Sequence, residues 1–109
     1  MNIEIKKDLA SNWFKTLQEA FCDDICKLEK NKLNFKSTTW KRNERKDEGG
    51  GEYRILQNGK VFEKVGVNFS KVYGKFPKQF QKKILGAQKD PRFWASGISV
   101  VMHMKNPLI

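Results

Sequence analysis

Residues 53–65 read YRILQNGKVFEKV, and this stretch decides the fold class. Two strand-prone runs, 53–57 and 60–65, flank the dipeptide Asn58-Gly59. Asn-Gly is the preferred centre of a type I′ turn, because both central residues of that turn need positive φ. The stretch therefore predicts an antiparallel β-hairpin with a tight two-residue turn.

A second strand pattern lies near the end of the chain, from Phe93 to Met104. Successive side chains of a strand point to opposite faces, and here the apolar and polar residues separate accordingly. One face should join the core through Ile98, Val100, Met102 and Met104. The other face carries Gly97, Ser99, Val101, His103 and Lys105.

A long helix is predicted from Trp13 to about Lys30, where apolar residues recur at helical spacing. Ser11 or Asp8 is placed to cap its first turn. The stripe expected to face the core consists of Trp13, Phe14, Leu17, Ala20, Phe21, Ile25 and Leu28.

Two cysteines, Cys22 and Cys26, lie one helical turn apart and project away from that stripe. This spacing matches half of a metal site, but the sequence offers a single His and no further Cys. Two incidental thiols are therefore the favoured interpretation.

Shorter elements account for the rest of the chain. Residues 33–42 favour an extended segment, and the triple glycine at 49–51 predicts a loop. A second helix is expected to open at Pro77 and run towards Ala87.

The charge balance is strongly basic, with 22 Lys and Arg against 12 Asp and Glu and a net charge of +10 over 109 residues. Such a field attracts nucleic acid, an anionic membrane or a small polycarboxylate, although a solvated lysine-rich surface gives the same balance. No apolar run approaches the ~20 residues of a membrane span, and residues 1–10 lack a signal-peptide core. The sequence therefore predicts a cytoplasmic protein with reduced thiols.

Ser99 and His103 are the residues of the last strand with the most reactive side chains. Their Cα atoms are roughly 13 Å apart in an extended strand, too far for a direct Ser–His hydrogen bond. They are spaced to contact two parts of one large ligand.

Four motifs occur in order along the chain: WFKTLQ at 13–18, WKR at 40–42 before the triple glycine, LQNGKVFEKVGVNFS at 56–70, and FWASGISVVMH at 93–103 followed by Asn106-Pro107. Together they resemble the oxygen-dependent (aerobic) coproporphyrinogen III oxidase family. The 56–70 motif is the most specific, and the resemblance extends over nearly the whole chain. Met104 departs from the pattern, since the family usually has Pro after this His.

The resemblance implies an α+β fold, an antiparallel β-sheet flanked by helices, usually in a homodimer. It also implies decarboxylation of two propionates of coproporphyrinogen III to vinyl groups by molecular oxygen, which gives protoporphyrinogen IX in haem biosynthesis. No flavin or haem is implied, although some bacterial members are described as using a divalent metal. The implied partner is the porphyrinogen tetracarboxylate rather than nucleic acid.

The resemblance also assigns roles to particular residues. Ser99 matches the family's substrate-contacting serine, and Asn68 and Ser70 match a segment expected beside the substrate. His103 matches a histidine proposed as a metal ligand. The catalytic groups are expected beyond Ile109, in a P-T-x-H-x-N-x-R stretch and a later Asp-Arg pair.

Residues 1–109 are therefore expected to form a single domain, the amino-terminal portion of the catalytic domain, inactive without a complementing carboxy-terminal chain. A shortened sheet should also expose an apolar face and an unpaired edge, which favours self-association. The alternative function is a small basic binding module for nucleic acid or another polyanion, without catalysis. Its basis is the interleaving of basic and aromatic residues at 40–42 and 71–76.

Overall fold

The computed structural model describes residues 2–30 and 34–108. Within these ranges, one long helix packs on a four-stranded antiparallel sheet of strand order β1-β2-β3-β4. The predicted α+β class is confirmed. The elements in chain order are α1 (Ile3–Glu29), β1 (Lys36–Lys41), β2 (Gly49–Gln57), β3 (Phe62–Lys75), α2 (Lys78–Gln81) and β4 (Arg92–Met104).

β2 and β3 form the predicted antiparallel hairpin, but the turn between them is wider than predicted. Asn58 has a positive φ of 60°, whereas Gly59 does not, so the type I′ prediction is wrong. The backbone N–H of Asn58 donates to the carbonyl of Glu63, and that of Gly59 donates to the carbonyl of Phe62, both at 2.9 Å.

A carboxylate from the end of α1 explains the wider turn. Glu29 is only 2% exposed, and its carboxylate oxygens accept the backbone N–H groups of Lys60, Val61 and Phe62 at 2.7–3.2 Å. A Cβ on Gly59 would lie 2.2 Å from Oε2 of Glu29, so any side chain there would displace the carboxylate from the turn. Burial raises the pKa of Glu29, but the three backbone donors outweigh it, and the pKa lies below its ordinary value.

The buried face of α1 is not the predicted apolar stripe. Within that stripe Ile25 is fully buried, whereas Trp13 and Leu28 are each 58% exposed. Cys22, predicted to project away from the core, is 5% exposed within it, and its burial raises the pKa of the thiol. The helix is thus rotated relative to the prediction, and its buried residues are Ser11, Gln18, Cys22, Ile25 and Glu29.

Specific polar contacts account for this rotation. The side-chain amide of Gln18 donates to the carbonyl of Glu52 at 2.8 Å and to that of Val67 at 3.1 Å. Because Gln18 joins β2 and β3 and Glu29 holds the turn between them, these two side chains set which face of α1 meets the sheet.

The core lies between α1 and the sheet and is built from Cys22, Ile25, Leu56, Phe62, Val65 and Val67. β4 adds Ile98, Val100 and Met104 to it, as predicted. Met102 is an exception to the predicted core face, being 48% exposed. It lies on the outer strand of the sheet, where it lines an apolar groove with Phe21 and Leu28 of α1.

Other predicted boundaries shift. α1 begins well before Trp13, and its N-cap is Asn2, whose side chain accepts the N–H of Ile5 at 2.9 Å, rather than Ser11 or Asp8. The triple glycine opens β2 instead of forming a loop, and α2 is a single turn that does not continue to Ala87. The extended segment predicted over 33–42 is present as β1, with Leu33 outside the described residues. No helix in the described ranges is long and apolar enough to cross a membrane.

Candidate functional site on the open sheet face

The sheet has one face covered by α1 and a second face, called here the open face, that points away from the helix. Alternation along β3 places Val65, Val67 and Phe69 under the helix and Asn68 and Ser70 on the open face. The predicted substrate-binding residues of this strand therefore lie away from the core.

The strand register brings the predicted substrate-binding residues together. Asn68 pairs directly with Ser99 of β4, and Ser70 pairs with Gly97. Side chains of directly paired residues have Cβ atoms about 5 Å apart. Ser99 is exposed, whereas Asn68 and Ser70 are half-buried. The three predicted residues thus share one continuous surface.

Small residues form the floor of this surface. A Cβ added at Gly66 or Gly97 would meet no atom within 4 Å, so the space above both is empty of protein. Val101, which pairs with Gly66, is 54% exposed. A flat ligand can therefore approach the centre of the sheet closely.

Trp40 of β1 reaches across to this surface, which sequence reasoning did not anticipate. Its indole Nε1–H donates to Oδ1 of Asn68 at 3.1 Å. Gly51 lies opposite Trp40, and a Cβ there would come within 2.9 Å of Cζ2 of the indole. The signal was present in the sequence as the Trp40-Lys41-Arg42 motif before the triple glycine, but nothing local indicated the contact.

Arg42 stands at the far end of the open face. Its Nη1 donates to Oε2 of Glu48 at 2.9 Å and to the carbonyl of Tyr73 at 3.1 Å. The guanidinium also lies 4.9 Å from the centroid of the Phe93 ring, which stacks on Phe76. These contacts fix a cation beside the polar surface.

His103 lies at the opposite end of the open face and is exposed. It pairs with Lys64, so two basic residues lie side by side at this end of the open face. Among the described residues, no group of three or more His, Cys, Asp or Glu side chains is arranged to hold a metal ion. His103 therefore supplies at most one ligand of a metal site, and the described residues do not complete it.

A cleft of about 630 Å³ lies on the α1 side of the sheet, and its lining shares Trp40 and Gly51 with the surface described above. Its lining includes the cations Lys15, Lys41, Arg45, Lys46 and Lys71 and the carboxylates Glu44, Asp47 and Glu52. The hydroxyl of Tyr73 and the backbone N–H of Gly49 both donate to Asp47 and hold the pKa of that carboxyl below its ordinary value. The cleft carries more cations than carboxylates.

The described residues thus form a long helix packed on one face of a four-stranded antiparallel sheet, with polar side chains on the other face. Residues 9–109 match the coproporphyrinogen III oxidase family, and the chain belongs to that family. It is 44% identical over 117 aligned positions to proteins named oxygen-dependent coproporphyrinogen-III oxidase from Rickettsia typhi and Rickettsia prowazekii, and 43% identical to that of Rickettsia akari. These alignments cover 100% of this chain and 40% of each relative.

Proposed function

We propose that this chain forms one wall of the substrate site of an oxygen-dependent coproporphyrinogen III oxidase. The enzyme would decarboxylate coproporphyrinogen III to protoporphyrinogen IX with molecular oxygen. The observation that carries the proposal is the direct pairing of Asn68 with Ser99 on the open face, with Ser70 one position of the same face further along.

The chemistry of these side chains suits a propionate. An ionised carboxylate only accepts hydrogen bonds, whereas a serine hydroxyl and an asparagine amide both donate them. With Cβ atoms about 5 Å apart, Asn68 and Ser99 can donate to one carboxylate. The macrocycle would then lie over Gly66 and Gly97, where no protein atom intrudes.

The proposal assigns binding, and no catalytic residue, to this chain. The chain spans 40% of the length of its relatives, and the catalytic groups would come from the part that it does not span. A divalent metal would have His103 as one ligand, with the others from outside the described residues. The chain would act within a homodimer or with a complementing carboxy-terminal chain, in the cytoplasm.

Two features support a protein partner of this kind. β4 is the outer strand of the sheet, so one side of its backbone faces no neighbouring strand in the described residues. The apolar groove formed by α1 and Met102 lies along the same edge. A further strand or helix would pair with the edge and cover the groove.

Ligand-binding measurements test whether the open face of this chain contributes to the substrate site. Coproporphyrin III, the stable oxidised form of the substrate, should quench tryptophan fluorescence and bind more tightly than a dicarboxylate porphyrin. Ser99→Ala and Asn68→Ala should each raise the Kd by about 10- to 150-fold, since a hydrogen bond to a charged group contributes about 1.5–3 kcal/mol. His103→Ala should weaken binding without unfolding the chain.

Ser96→Ala is the matched control for Ser99→Ala, because Ser96 is on the same strand and its hydroxyl donates to the carbonyl of Ser70 at 2.7 Å. It should leave the Kd unchanged. Equal affinities for Ser99→Ala, Asn68→Ala and the unmodified chain would overturn the site assignment.

Turnover tests the whole reaction. Coproporphyrinogen III under air should yield protoporphyrin fluorescence only when a chain supplying the carboxy-terminal part of the family is added. Turnover by this chain alone would refute the assignment of catalysis to the other part. No turnover in either mixture, with both chains folded, would refute the proposed activity.

The cleft on the α1 side supports the alternative function, a polyanion-binding module. Lys15, Lys41 and Lys71 make no ion pair within the described part of the chain and line the same space. A salt-sensitive affinity for single-stranded DNA that falls on Lys41→Ala and Lys71→Ala would favour this alternative. An affinity for DNA that neither substitution changes would exclude the cleft as the polyanion-binding site.

A further inference from the structure

We propose that Trp40 is a positioning residue, which fixes the side-chain amide of Asn68 so that its NH₂ group faces the ligand. The inference rests on the proposed function and adds a residue to its site.

The orientation of the amide follows from the chemistry of the indole ring. An indole Nε1–H is a donor only, so the atom that it contacts must be an acceptor. Nε1 of Trp40 lies 3.1 Å from the side chain of Asn68, and its partner is therefore Oδ1. The amide nitrogen Nδ2 must then point in the other direction.

Nδ2 of Asn68 is left available for a ligand. Within the described residues Nδ2 donates to no protein acceptor. No buried side-chain nitrogen or oxygen in these residues lacks a hydrogen-bond partner, so Nδ2 is accessible rather than buried. Ser99 is paired directly with Asn68, so the Nδ2 donors and the Ser99 hydroxyl serve the same part of the open face. With the amide reversed, Oδ1 would face a carboxylate there and repel it.

The glycine at position 51 makes this arrangement sterically feasible. Gly51 lies between Trp40 of β1 and Ser70 of β3 in one row across the sheet. A Cβ at Gly51 would fall 1.9 Å from the carbonyl oxygen of Phe69 and 2.9 Å from Cζ2 of the indole, so both the backbone of β3 and the ring need a glycine there. Trp40 can therefore extend over β2 towards Asn68.

The expected size of the effect comes from counting side-chain states. Without the indole, Asn68 has three staggered χ1 wells and two amide orientations, about six states in all. If one of them is competent, the competent fraction falls towards one-sixth and the Kd for a carboxylate ligand rises by up to about sixfold. Trp40→Phe removes the donor and retains an aromatic ring.

A double-mutant cycle separates positioning from direct contact. We expect Trp40→Phe to raise the Kd for coproporphyrin III by up to about sixfold in the unmodified chain and to change nothing in an Asn68→Ala background. An equal effect in both backgrounds would mean that Trp40 contacts the porphyrin itself, which would overturn the inference. Matching melting temperatures for the single variants exclude a general loss of structure.

A measurement on the free chain tests the geometry without any ligand. Hydrogen exchange of the Trp40 indole N–H, followed by NMR, should be at least about fivefold slower than in Asn68→Ala, as expected for a bond of about 1 kcal/mol. Trp13, which is 58% exposed, provides the reference signal. Equal exchange in both chains would overturn the inference.

The two failures are distinguishable. Slow indole exchange without any porphyrin binding would overturn the proposed function, and with it the ligand role given to Trp40. Porphyrin binding with unprotected exchange would retain the proposed function and overturn the positioning role.

Discussion

Replacement of Glu29 by Gln should destabilise the fold more than any other single exchange of a carboxylate in the described residues. Gln has nearly the same volume, but its NH₂ group replaces one of the two oxygens that accept the N–H groups of Lys60, Val61 and Phe62. A donor would then face a donor at a site that is 2% exposed.

The magnitude follows from the hydrogen bonds that are lost. A hydrogen bond to a charged acceptor contributes about 1.5–3 kcal/mol, and a buried donor left unpaired costs about 1–3 kcal/mol. These two costs overlap, so we expect the free energy of unfolding to fall by about 3 kcal/mol. For a domain of this size, the Tm should fall by about 12–24 °C.

The contribution of the Glu29 carboxylate to the free energy of unfolding should also decrease at low pH. The pKa of Glu29 lies below its ordinary value of 4.5, so the folded chain holds the ionised form more strongly than the unfolded chain does. Its contribution is therefore fully present above about pH 4.5 and is lost as the pH falls through the folded-state pKa. The stability difference between the unmodified chain and Glu29→Gln should be constant near neutrality and shrink in acid.

Urea unfolding at several pH values provides the assay, with Glu63→Gln as the matched control. Glu63 makes an exposed ion pair with Lys105 at 3.6 Å, and exposed pairs contribute about 0–1 kcal/mol. Gly59→Ala should reproduce the loss by pushing the carboxylate away from the turn. The reasoning is refuted if Glu29→Gln unfolds within about 1 kcal/mol of the unmodified chain.

Two further predictions concern α1 and the edge of the sheet. Gln18→Leu should reduce the free energy of unfolding by about 1–2 kcal/mol, because the carbonyls of Glu52 and Val67 lose a hydrogen-bond donor. Gln18→Glu should reduce it further, because a carboxylate oxygen would then face these carbonyl oxygens. Equal stability of the three chains in urea would contradict this prediction. The chain should self-associate along the edge of β4, and Met102→Lys should shift it towards monomer in sedimentation velocity. An unmodified chain that sediments as a monodisperse monomer would refute the role of this edge.

The strands could be predicted because their signals are local. Strand-prone runs around Asn58-Gly59 and the alternation from Phe93 to Met104 each lie within a short stretch. The first predicted the antiparallel pairing of β2 with β3 but not its register, and the second predicted the core face of β4 except at Met102. The resemblance identified the family for the same reason, since its motifs are continuous segments.

The face of α1 could not be predicted, because its determinants are distant in the sequence. Gln18 finds its acceptors 34 and 49 residues away, and Glu29 finds its donors 31–33 residues away. A periodicity argument assigns such residues to solvent. The prediction therefore placed Trp13 and Leu28 on the buried face of the helix, whereas both lie outside the core.

The open face was only partly visible in the sequence. Alternation placed Ser99 on a polar face, and the resemblance added Asn68 and Ser70, but the register that pairs Asn68 with Ser99 depends on the whole meander. The strand character of residues 49–51 was missed because glycine disfavours strands in general, whereas here a Cβ at any of the three positions would lie 1.9–2.2 Å from a backbone carbonyl oxygen of a neighbouring strand.

The order of the strands also bears on how the chain folds. Each strand pairs with its neighbour in the chain, so the sheet can form by successive local closures with little loop entropy to overcome. α1 is the exception: it precedes all four strands in the chain, yet the strands that it contacts most are β3 and β4. During synthesis, Ile25 and Cys22 of the helix therefore remain exposed to solvent until β3 and β4 have emerged from the ribosome. We expect docking of the helix on the sheet to be the last step of folding.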